Sequence, residues 1–81
     1  MTIVKVEWID SETEDGWQAI SDIEPSAAHV VSVGFLVKET DSFLVLAHSY
    51  DDATQSANGF ISIPLQAVKD VRRVCLKKKK K

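Results

Sequence analysis

The chain has 81 residues, 44% of them hydrophobic, with a formal charge of −2; that suits one small globular domain and excludes wholesale disorder. No apolar run approaches the ~20 residues that cross a bilayer. No basic start followed by an apolar stretch opens the sequence, so a soluble, cytoplasmic protein is expected, with no membrane partner.

The charge is unevenly spread. Up to Val71 only Lys5, Lys38 and Lys69 stand against twelve carboxylates, a balance of −9, whereas from Arg72 onward every charge is positive. An acidic body repels phosphate backbones, which argues against nucleic acid as the main partner of the folded surface. Cys75 is the single cysteine, so an internal disulfide and a cysteine-rich zinc site are excluded. Its apolar neighbours, Val74 and Leu76, suggest an inert thiol buried in a strand.

Residues 3–9 (IVKVEWI) alternate as a strand, with Val4, Val6 and Trp8 on one face. Residues 10–16 form an acidic loop ending at Gly16, a turn signal. In residues 17–23, Trp17, Ile20 and Ile23 recur every third position, which allows a helical turn that Pro25 then terminates. Next come two apolar runs of strand length, residues 30–37 and 43–47, joined by the polar link 38–42 as a hairpin. Gly34 sits inside the first run, where a glycine weakens a strand unless the backbone bends or a neighbour comes close.

A polar connection, residues 51–59, is expected to finish in the turn pair Asn58-Gly59. Residues 60–63 read as a fourth strand stopped by Pro64, residues 65–68 as a single 3-10 turn, and residues 71–76 as a fifth strand. Residues 1–76 thus make one domain, and the lysine run 77–81 is expected to be a disordered tail, native or appended.

Both faces of the central hairpin are apolar: Val31, Val33, Phe35 and Val37 oppose Val30 and Leu36, while Phe43, Val45 and Ala47 oppose Leu44 and Leu46. So small a chain cannot sandwich a sheet between two layers. A mainly β fold is expected, a small five-stranded SH3/Sm-like barrel with a 3-10 turn before the last strand, its outside partly covered by further copies.

Gly34, Leu36 and Asp41 resemble the first signature of the Sm-like family, and residues 63–71 (IPLQAVKDV) resemble its second. That resemblance implies a small barrel assembled into a ring, with RNA as the family's usual ligand. Leu44 stands where the family places a base-holding asparagine, and Gln66 where a basic residue is usual. Trp8-Ile-Asp10-Ser11, Gly16-Trp17, residues 33–37 (VGFLV) and Ile63-Pro64 are similar to small uncharacterised proteins of tailed phages. This second resemblance implies a host-cell cytoplasmic location and brings no activity.

No nucleophile or acid–base pair is legible, so no enzyme and no cofactor is expected. His29 and His48 bracket the hairpin but lack a third ligand, and the acidic loop has glycine one place late for a calcium loop; no metal is expected. Trp8, Asp10, Glu12, Glu14, Asp15 and Trp17 offer two readings. An exposed ring beside carboxylates suits a basic peptide or protein, whereas buried rings would plug the ends of the barrel. The leading expectation is a non-enzymatic barrel that self-associates and binds a host or viral protein. The alternative is an oligomeric ring that binds RNA or a small nucleotide through Lys38, Lys69, Arg72 and Arg73.

Overall fold

The computed structural model describes residues 1–75. Leu76 and the lysine run, including the expected tail, lie outside the described residues. Five strands form one antiparallel sheet: β1 (Ile3–Ser11), β2 (Ala27–Glu39), β3 (Phe43–Asp51), β4 (Ser56–Pro64) and β5 (Val68–Arg73). Their order across the sheet is β4-β3-β2-β1-β5, and 3-10 turns occupy Ile20–Asp22 and Leu65–Ala67.

The thirteen-residue β2 belongs to two ladders in succession. It runs beside β1 from Ser11↔Ala27 to Ile3↔Phe35, then beside β3 from Phe35↔Ala47 to Glu39↔Leu44. The exchange falls at Gly34-Phe35. A β-carbon at Gly34 would lie 2.8 Å from the carbonyl oxygen of Ala47, so β3 approaches the strand only because no side chain is there. Past the exchange the register shifts between Leu36 and Lys38, leaving Val37 as a bulge that bends β2 further.

The two edges, β4 and β5, share no ladder, so the sheet is open and does not close into the expected barrel. It is nonetheless strongly curled. Four Cα steps link Pro64 to Val68 and reach about 15 Å at most, whereas the edges of a flat five-stranded sheet stand ~19 Å apart. The intervening 3-10 turn shortens that span again.

Curling buries one face. Val4, Val6 and Trp8 from β1, Leu44 and Leu46 from β3, and Ile63 from β4 form the core, with Val30, Leu36, Ala67 and Val68 packed against it. The other face was expected to find cover as well, yet Val31, Val33 and Phe60 remain exposed on it.

Three local expectations are corrected. Asn58-Gly59 lies inside β4, and the connection is instead a turn over residues 52–55. There Asp51 accepts the Ala53 N–H (3.1 Å) and the Thr54 hydroxyl (2.9 Å), and Gln55 takes the left-handed conformation. The last strand starts at Val68, because Val68 pairs with Trp8 and joins the core. Cys75 therefore falls beyond the strand and is exposed.

Candidate protein-binding loop

Residues 12–26 leave the sheet at one end of the β1–β2 ladder and return to it at Ala27, opposite Ser11. The neck is tied by the Ser26 hydroxyl, which donates to the Glu12 carboxylate at 2.7 Å. A fifteen-residue excursion with closed ends is long for a compact domain, and such loops are commonly functional. Gly16 supplies a bend at φ +111°, and Pro25 disfavours helical geometry at Glu24.

Between them the chain makes its first 3-10 turn, closed by the Asp22 and Ile23 N–H groups on the carbonyls of Ala19 (2.9 Å) and Ile20 (3.2 Å). The turn covers Ile20–Asp22 alone, with Ala19 and Ile23 extended on either side, so Trp17 lies before it and Ile23 just after it. Trp17, Ile20 and Ile23 are all exposed, Trp17 by 104% and Ile20 by 88%. Trp17 lines a groove of about 400 Å³ together with Glu12, Glu14, Ile23, Glu24 and Pro25 among others. The loop holds no lysine or arginine. Among the described residues the ion pairs lie elsewhere, Lys5 with Glu7 at 3.9 Å and Arg72 with Asp70 at 2.9 Å. The Gln18 amide donates to Glu14 at 3.3 Å, a neutral contact that leaves the groove negative.

The two tryptophans divide between the two readings. Trp8 is 7% exposed, inside the core, and its indole N–H donates to the Ser32 hydroxyl at 3.0 Å. It belongs to the sheet and not to the groove. Asp10 is exposed on β1 and accepts the Ser11 N–H at 2.9 Å. Glu12 and Glu14 line the groove with Trp17, and exposed Asp15 sits next to them in the loop. Sequence reading did not place Ile23, Glu24 and Pro25 in the same groove as Trp17.

The basic residues do not converge. Lys69 is the bulged residue of β5 between the pairs Glu7↔Asp70 and Trp8↔Val68. Arg72 and Arg73 stand farther along, opposite Lys5 and Val4, and Lys38 lies on the β3 side of β2. Arg72 is already engaged by Asp70. The histidines are also apart: His29 pairs with Ile9, while His48 bonds Ser49 at 2.8 Å and covers Gly59. Among the described residues no three His, Cys, Asp or Glu side chains group as metal ligands, and no helix is long and apolar enough to cross a membrane. No family model, curated protein or solved structure matches the chain.

Proposed function

We propose that this is a non-enzymatic β module, an open relative of the small Sm-like barrels, which self-associates at its sheet edges and binds a protein partner with its loop. The loop's ligand is a basic segment. One observation carries this reading: a fully exposed Trp17 lines the same groove as Glu12, Glu14 and Glu24. An indole on which no described residue packs stabilises neither the core nor the loop. Beside carboxylates it offers stacking and cation–π contact to a lysine or arginine, whose methylenes would cover Ile23 and Pro25.

Self-association is supported by the edge strand β4, SANGFISIP, which bears no charge to deter pairing and exposes Phe60 and Ile61. The Sm-like reading is supported by a last strand that returns to β1 after a 3-10 turn.

An oligolysine peptide titrated against the protein should quench or shift the emission of Trp17, and an oligoglutamine peptide should not. Unchanged emission with the basic peptide at low salt, equal in the wild type and Trp17→Ala, would refute the reading.

A further inference from the structure

We propose that the basic segment taken by this groove includes the chain's own lysine run, residues 77–81, supplied by a second copy; this rests on the loop being a binding site for basic segments. Charge complementarity is the first argument. Five consecutive lysines follow a stretch with no carboxylate after Asp70, and the loop carries Glu12, Glu14, Asp15, Asp22 and Glu24 with no cation of its own. The fit extends to the apolar parts, because lysine stems lie well along Trp17, Ile23 and Pro25 while the ammonium groups meet the carboxylates.

Direction and reach make the contact intermolecular. β5 runs antiparallel to β1, and the Val74 N–H donates to the Ile3 carbonyl at 2.8 Å, so the chain leaves the sheet at the start of β1. The loop lies beyond the other end of that nine-residue strand, roughly 27 Å away at the usual rise. The seven residues after Val74 extend to about 25 Å at most, and part of that length is consumed in reversing direction. A chain therefore cannot lay its lysines in its own groove. A neighbour can, through a head-to-tail contact in which one copy donates at one end and accepts at the other. Such a contact closes into a ring or propagates as a filament.

Cys75, exposed and single, is a handle beside the donor segment. Nitrogen-15-labelled full chain is mixed with unlabelled full chain carrying a nitroxide on Cys75, and an oligolysine titration is run on the labelled chain alone. The expected result is loss of most of the amide intensity at Gly16, Trp17 and Glu24 in the labelled copy at low salt. Intensity should return at high salt and also when the labelled copy carries Glu12→Gln, Glu14→Gln and Glu24→Gln. If oligolysine shifts the Trp17 resonances but the nitroxide leaves the loop sharp, or broadens only β4 and β5, the inference falls and the binding role of the loop stands. If oligolysine also fails to shift Trp17, both fall.

Discussion

The carbonyl oxygen of Ala47 occupies the space that the first side-chain carbon of any other residue at Gly34 would need, at 2.8 Å. That contact is where β2 passes from β1 to β3, so the curl of the whole sheet depends on it. Because the obstacle is backbone, the strands must separate to admit a methyl group. Gly34→Ala should destabilise the fold by about 1–3 kcal/mol. Urea unfolding of the two proteins checks this; an unchanged midpoint would mean that β3 slides freely past β2.

Leu46 and Trp8 test the one-sided core. Leu46 is buried and pairs with both Leu36 and Ile61. Leu46→Ala should cost about 2–5 kcal/mol. Val33→Ala, on the exposed face, should cost well under 1 kcal/mol if that face stays open in the free chain, as surface changes usually do. Thermal unfolding of both variants at low protein concentration separates the faces. A large loss at Val33 that appears only at high protein concentration would show that a second copy covers it.

Much of this core can be read from the residues. Period-two alternation places Trp8 with Val4 and Val6, and the β-branched runs on either side of residues 38–42 mark the hairpin. Pro64 followed by Leu65-Gln-Ala predicts the turn that brings β5 back to β1. The misplaced parts have specific causes. Asn58-Gly59 resembles a hairpin turn, yet the side-chain bonds of Asp51 set the turn earlier, and β3 pairs with β4 past Ser49↔Asn58 as far as Asp51↔Ser56. Val71, Val74, Cys75 and Leu76 look like the more apolar strand, but the pairing of Val68 with Trp8 fixes β5 three residues sooner. Exposure of Trp17 has no sequence signal, since it depends on the other described segments staying clear of the loop's groove.

Gly59 lies within β4 at φ +66°, and the His48 ring fills the space beside its α-carbon. An alanine there meets both an unfavourable backbone conformation and that ring. Gly59→Ala should cost about 1–3 kcal/mol. Adding His48→Ala should recover only part of it, because the ring can move and the backbone conformation remains. A double-mutant cycle by chemical denaturation measures the split.

The single tyrosine reports on the β3–β4 turn. The Tyr50 hydroxyl donates to Asp52 at 2.9 Å, and that bond, with some desolvation, raises its pKa above the ordinary 10.0, while the Gln55 amide acts in the opposite sense. A raised phenol pKa means that the folded chain keeps its proton after the unfolded chain has lost it. The associated stability is therefore present below pH 10 and declines as pH rises through the folded value. Ultraviolet titration should place the phenol above its ordinary value in the wild type and closer to it in Asp52→Asn.

A residue-by-residue map of the oligolysine complex tests the binding loop most directly. Amide resonances of the nitrogen-15-labelled chain should move over residues 12–26 and at the Trp17 indole, with little change at Trp8 in the core. Shifts gathered instead around Val31, Val33 and Phe60, or absent altogether at low salt, would contradict the account.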